Sequence, residues 1–142
     1  RQSALRYRLV NRRMMETQNT AFRFSEITQR RHPVNRLYMN PSDMEGDGIP
    51  EGAMVSLSRD HGRLIACVKK DPTLRPGVLS MSHGWGAIRE AEDPSGKRGA
   101  HLGRLVSMRP EHVQKFDGMP LQSAIPVNLR LLEERGQDLA NA

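Results

Sequence analysis

A chain of 142 residues can bury a core without staples, and its single cysteine, Cys67, excludes an internal disulfide and any cysteine-rich zinc or iron–sulfur centre. No apolar run reaches the roughly 18 residues of a membrane helix and no signal-peptide pattern occurs, so a cytoplasmic protein without a membrane span is expected. The net charge of +6 is lopsided: residues 1–36 hold nine arginines against two glutamates, whereas residues 37–142 carry 13 cations and 14 anions.

In chain order, Leu5 to Val10 alternates apolar and polar, the period of a half-buried strand, and Asn11-Arg12-Arg13 ends it. A polar loop follows to Thr20. Ala21 to Arg31 reads as a short helix with Phe22, Ile27 and Phe24 facing inward, and Pro33 bars its continuation through His32. Arg36 to Met39 is a short strand. The next helix carries its own signals: Asn40 as cap, Pro41 at the first position, Asp43 and Glu45 at the positive end of the dipole, and Gly46 and Gly48 as stops. After the turn Ile49-Pro50-Glu51-Gly52, the alternation of Val55 and Leu57 with Ser56 and Ser58 predicts a strand. Asp60-His61-Gly62 turns it into the apolar return strand Leu64 to Val68, with Cys67 a buried, inert thiol.

Two prolines and Gly77 fix a loop over 71–77, and Val78 to Met81 forms a strand that emerges into Ser82-His83-Gly84-Trp85-Gly86. Residues 87–100 read as a long polar loop, Leu102 to Met108 as strand, and 110–119 as turns around Asp117-Gly118. The last strand is Ala124 to Leu132, and residues 133–142 read as a frayed polar tail. Six or seven short strands, few helices and no crossover helices predict a mainly β, barrel-like fold rather than a doubly wound sheet. One domain over residues 1–142 is expected, and a chain opening on Arg1 reads as a piece of a longer one.

The residue types exclude several chemistries. None of the five histidines lies three or four residues from another, so no helical metal pair exists, and neither a G-x-S-x-G elbow nor a Walker loop occurs. A helix start explains Asp43, Glu45 and Asp47 better than a calcium loop does. The arginine-rich first quarter offers planar forks that match phosphate oxygens in pairs. It equally fits a solvated basic segment or a face that meets an acidic partner. His83-Gly84-Trp85-Gly86 lets the backbone approach a ligand and offers a ring for stacking. Spacing alone favours a simpler role, in which Trp85 plugs one end of the barrel while the glycines turn the chain.

These pieces, in this order, resemble the C-terminal dinucleotide-binding domain of the molybdopterin oxidoreductases, the family of formate dehydrogenases, nitrate reductases and dimethyl sulfoxide reductase. Leu9-Val10-Asn11-Arg12-Arg13 with Thr17-Gln18-Asn19-Thr20 resembles the family's strand ending in arginine with a polar trio beyond it. Asn40-Pro41-Ser42-Asp43 resembles N-P-x-D-A, with Met44 for the alanine. Gly48 to Gly52 matches G-I-x-x-G, Val55 to Leu64 resembles V-x-V-x-S-x-x-G-x-V, and Arg75-Pro76-Gly77-Val78 matches R-P-G-x-V. His83 to Gly86 resembles the G-W-G that follows, and Pro126-Val127 the closing strand. The likeness runs from about Leu5 to Leu132.

The resemblance implies a double-psi β-barrel with one or two short helices, and a ligand, molybdopterin guanine dinucleotide with its molybdenum. It places Arg12 or Arg13, Thr17, Asn19 and Thr20 on one dinucleotide. It places His83, Gly84 and Trp85 near the pterin, and Asn40 and Asp43 at the guanine end, although capping explains Asn40 equally well. The chain departs from the family where an Asn-x-Leu-Thr run is usual: Gly103-Arg104-Leu105-Val106 stands there, and Arg104 or His101 would have to substitute for the asparagine. The family's metal ligand and cluster cysteines belong to earlier domains, so the chain is expected to work with upstream catalytic domains of the same enzyme, to catalyse nothing alone, and to dimerise when isolated. The competing functions are a stand-alone basic barrel that binds nucleic acid, disfavoured because only six aromatics occur and the arginines sit before the central unit rather than along a groove, and a barrel that binds a protein partner.

Overall fold

The computed structural model describes residues 5–60 and 62–132. Six strands close a barrel: β1 (Tyr7–Asn11), β2 (Leu37–Met39), β3 (Met54–Arg59), β4 (Gly62–Lys70), β5 (Val78–Met81) and β6 (Ile125–Leu131). Round the barrel the order is β1-β5-β2-β4-β3-β6, and β6 pairs back onto β1. β1 runs parallel to β5 and β2 parallel to β4, while the remaining neighbours are antiparallel. Closure removes the free edges that an open sheet would expose. With two short helices, α1 (Glu26–Arg31) and α2 (Pro41–Asp47), this is the mainly β barrel class expected from the motifs.

The period of two decides which side chains fill the barrel. Tyr7 and Leu9, Leu37 and Met39, Val55 and Leu57, Leu64, Ala66 and Val68, Leu79 and Met81, and Ile125 and Val127 all point inward, none more than 3% exposed. Each large side chain so buried contributes about 1.5–3 kcal/mol, which makes this ring the main favourable term of the fold.

The α2 helix forms as its sequence dictates. Asn40 Oδ1 accepts from the Ser42 N–H at 2.8 Å, Pro41 takes the first turn, and Gly48 closes the helix in the left-handed conformation with φ 64°. The Ile49 N–H then returns to Met44 O at 2.8 Å and carries Ile49 into the core. In the β3–β4 hairpin, Arg59 lies opposite Gly62, leaving a two-residue connection in which His61 lies outside the described residues.

Three expectations need correction. The helix expected over 21–31 is only Glu26–Arg31, capped by Ser25, and its buried residue is Thr28. Phe22, Phe24 and Ile27 face outward, at 68%, 78% and 60% exposure. Thr28 wins the inward position because its hydroxyl donates to Glu16 O at 3.2 Å and bonds with Ser25 Oγ at 3.0 Å, a polar anchor that apolar periodicity does not register. Leu102 to Met108 is not a strand. Leu102–Leu105 forms a 3₁₀ turn whose Leu102 and Leu105 are buried, so alternating burial arises there without pairing.

Residues 87–100 do form a polar loop, and it is organised around Asp93. Its carboxylate accepts from Arg98 N at 2.7 Å, Lys97 N at 3.1 Å and Ser95 Oγ at 3.2 Å. Burial alone would raise its pKa, but those donors outweigh burial and hold it below the usual aspartate value. Cys67 lies in β4, half-buried rather than buried, with its sulfur 2.7 Å from Arg36 Nη1. The tail expected to fray, 133–142, lies outside the described residues.

Candidate cofactor cleft

The register of the parallel pair creates the site. Asn11 ends β1 opposite Met81, the last residue of β5, so the segments that leave both strands emerge at the same end of the barrel. Those segments are 12–20 and 82–86. A third, 99–106, is fastened to them by Asn35, which is 3% exposed. Asn35 Nδ2 donates to Ser82 O at 2.6 Å and to Ala100 O at 2.9 Å, and Oδ1 accepts from Ala100 N at 2.8 Å. A buried amide thus spends both its donors and one acceptor site joining two turns of the connection between β5 and β6.

Between these segments lies a cleft of about 410 Å³, lined by Asn11, Arg13, Asn19, Thr20, His83, Gly84, His101, Leu102, Gly103, Val106 and Gln122. Of the eleven candidate residues, Arg13, Asn19, Thr20, His83 and Gly84 meet here. Arg13 Nη1 donates to Asn19 Oδ1 at 2.6 Å, and Asn19 holds a left-handed backbone with φ 54°, which asparagine tolerates better than most residues. His83 Nδ1 lies 3.2 Å from Asn11 Oδ1; an amide oxygen only accepts, so Nδ1 carries the proton and Nε2 of the neutral ring is an acceptor. His101 has the opposite tautomer, because Nδ1 accepts from Gly103 N at 3.0 Å, which leaves Nε2 as the donor of the neutral ring. Gly84 has φ 96°, and a Cβ there would sit 3.0 Å from Thr20 Cγ2. Its carbonyl accepts from Arg23 Nη1, which clamps the 82–86 segment onto the 20–23 turn.

The other candidates are engaged elsewhere. Arg12 pairs with Asp71, Nη1 to Oδ2 at 2.7 Å, and stacks 3.8 Å from the centre of the Tyr38 ring. The Thr73 hydroxyl and then Arg12 hold the Asp71 carboxyl at a pKa of about 2. Thr17 is half-buried and outside the cleft lining. Asn40 caps α2 and donates to Leu74 O at 2.6 Å, and Asp43 accepts from Gly77 N at 2.7 Å, so both tie α2 to the 71–77 loop. Trp85 is 4% exposed and packs against the Gly99 turn, where a Cβ on Gly99 would lie 2.8 Å from its own Cβ, and its Nε1 has no partner among the described residues. Arg104 donates to Ala87 O at 2.6 Å and Ile88 O at 3.1 Å, bracing the polar loop.

Two further first-quarter arginines form ion pairs at the surface. Arg6 pairs with Asp47, which also accepts from the Tyr7 hydroxyl, and Arg31 pairs with Glu16. Burial and that hydrogen bond raise the Tyr7 pKa, while Arg31 lowers that of Glu16. Sequence reasoning missed Asn11, Leu102, Val106 and Gln122 as lining residues and Asn35 as the fastener. Only Asn11, a polar residue closing an apolar strand next to arginines, carried a local signal. Among the described residues no group of three or more His, Cys, Asp or Glu side chains is placed to hold a metal ion, and no helix is long and apolar enough to cross a membrane.

The model of the molydopterin dinucleotide binding domain matches residues 7–120. The chain belongs to that family. Its barrel is similar to part of acetylene hydratase from Pelobacter acetylenicus, with a TM-score of 0.73 at 19% sequence identity over 88% of this chain. That likeness concerns the fold, and it covers only 18% of the hydratase chain. No curated protein sequence matches the chain. The cleft at the shared end of β1 and β5, whose lining falls in the matched span apart from Gln122, fits a molybdopterin-type group. Gly84 and Gly103 present backbone instead of side chains at its walls, and a Cβ on Gly103 would come within 2.6 Å of the His101 ring. Arg13, His83, His101 and the Asn19 and Gln122 amides supply the polar contacts that a flat heterocycle with a phosphate requires.

Proposed function

We propose that this chain is the C-terminal domain of a larger molybdenum or tungsten oxidoreductase of the formate dehydrogenase or nitrate reductase type, and that it holds the guanine dinucleotide form of molybdopterin. The observation that carries the reading is the meeting of Arg13, Asn19, Thr20, His83 and Gly84 in one cleft from segments some sixty residues apart. The structural neighbour is named for a hydration, so the redox assignment rests on the sequence motifs.

When bound, the group supplies the pterin-held metal at which redox chemistry takes place. The chain's residues bind and orient it. Arg13 is the donor for a phosphate, since Arg12 is committed to Asp71. His83 Nε2 accepts and His101 Nε2 donates, a pair matched to the alternating donors and acceptors of a pterin edge. His101 thereby takes the place of the asparagine that Gly103 replaces. Trp85, buried next to the Gly84 wall, leaves its ring out of the cleft lining.

The test is the cofactor content of the full-length protein that carries this chain. Acid release should give a fluorescent pterin and GMP in equal amounts, with both reduced several-fold in Arg13→Ala. A protein that releases no pterin, or a pterin with a nucleotide other than GMP, overturns the reading.

A further inference from the structure

A second cavity, of about 790 Å³, is walled by residues of β1, the end of β3, β6 and the 111–121 segment. Its walls include Arg8, Ser58, Arg59, His112 and Asn128, with Leu5, Val113, Leu121 and Pro126 as the apolar part. None of these residues lines the cofactor cleft.

Arg59 is the anomaly. It follows Val55 and Leu57 on the inward side of β3 and is only 8% exposed. Its guanidinium is charged at any working pH. Yet no carboxylate among the described residues pairs with it, its Nε has no hydrogen-bond partner, and Nη1 reaches only Leu105 O at a long 3.4 Å. A buried cation left without a counter-charge is costly, and this one lines a cavity large enough for a small molecule. Other donors surround the same space. The Arg8 side chain is exposed at the cavity wall. Ser107 Oγ accepts from Arg109 N at 3.3 Å and lies 2.9 Å from His112 Nδ1, a contact that holds the His112 ring at the cavity wall. The two acids at the wall are exposed: Asp60 lies 4.0 Å from Arg109, and Glu111 stands at the rim.

We propose that this cavity is a binding site for a small organic carboxylate, with its oxygens on Arg59 and its apolar tail against Leu121, Val113 and Pro126. The carboxylate supplies the counter-charge that Arg59 lacks among the described residues. The apolar wall selects a ligand with a short hydrocarbon tail over a bare inorganic anion.

The test is calorimetric titration of the full-length protein with hexanoate, acetate and inorganic phosphate at fixed ionic strength. Hexanoate should bind saturably, acetate and phosphate more weakly. Arg59→Met, which removes the charge but keeps a buried apolar stem, should weaken hexanoate roughly tenfold or more. Arg8→Ala, an exposed change that leaves the core intact, should weaken it a few-fold, and Glu111→Gln should strengthen it. Thermal melting of Arg59→Met confirms that it folds. Failure of wild type to bind any of the three probes, as when another part of the protein fills the cavity, overturns the proposal. So does hexanoate binding that Arg59→Met and Arg8→Ala both leave unchanged, or phosphate binding that matches hexanoate. Loss of hexanoate binding with cofactor content intact separates this site from the cleft.

Discussion

Replacing Asn35 by alanine should loosen the cofactor cleft from behind. Asn35 does not itself line the cleft, yet its amide makes three hydrogen bonds that join Ser82 to Ala100. Removing it leaves Ser82 O, Ala100 O and Ala100 N without partners in a buried setting, at about 1–3 kcal/mol for each group left unsatisfied. The void left by the amide has three polar walls and admits a water that recovers part of this. The expected net loss is about 3 kcal/mol. Asn35→Asp should cost more, because it keeps the acceptor for Ala100 N but turns a carboxylate oxygen toward two carbonyls. The assay is urea denaturation of the chain followed by Trp85 fluorescence. The only tryptophan reports locally: a Cβ on Gly99 would lie 2.8 Å from Trp85 Cβ, and Gly86 N donates to Arg98 O at 3.1 Å. Both variants within about 0.5 kcal/mol of wild type, the range of an ordinary surface change, with unchanged Trp85 emission, would refute the fastening role.

The Asp71 carboxyl, held at about 2 against an ordinary 3.8, stabilises the folded state by about 2 kcal/mol above roughly pH 5, and that contribution is lost as pH falls toward 2; urea midpoints across this range should fall more steeply for wild type than for Asp71→Asn. Gly62→Ala would put a Cβ 1.9 Å from Arg104 O, a backbone atom that cannot step aside, and should cost about 1–3 kcal/mol by the same denaturation assay. Gly84→Ala combines a φ of 96° with the 3.0 Å approach to Thr20, so it should cost about 1–2 kcal/mol and lower the pterin content of the full-length protein.

The sequence disclosed what local chemistry controls. The inward alternation of Val55 and Leu57, or of Ile125 and Val127, is a backbone period, and the Asn40 cap with Gly48 as stop is settled within nine residues. The resemblance ordered these pieces into a barrel and pointed to Arg13, Asn19, Thr20, His83 and Gly84. It could not separate Arg12 from Arg13. That choice depends on Asp71, fifty-nine residues away, which takes Arg12 out of use. Nor could it find Asn35, whose partners lie 47 and 65 residues distant. Leu102 to Leu105 misled because a 3₁₀ turn buries every third residue, close enough to strand alternation in so short a run. Phe22, Phe24 and Ile27 misled because apolar character was taken for burial, while the polar Thr28 anchors the helix.

The measurement that tests the central claim most directly is amide hydrogen exchange on the full-length protein, with and without its pterin cofactor. Cofactor bound by this chain in the cleft at the shared end of β1 and β5 should slow exchange in residues 11–20, 82–86 and 101–106. Exchange over residues 54–57 of β3, none of which lines the cleft, should stay the same. Unchanged exchange in those three segments, or protection confined to other parts of the chain, would contradict the assignment of the cleft.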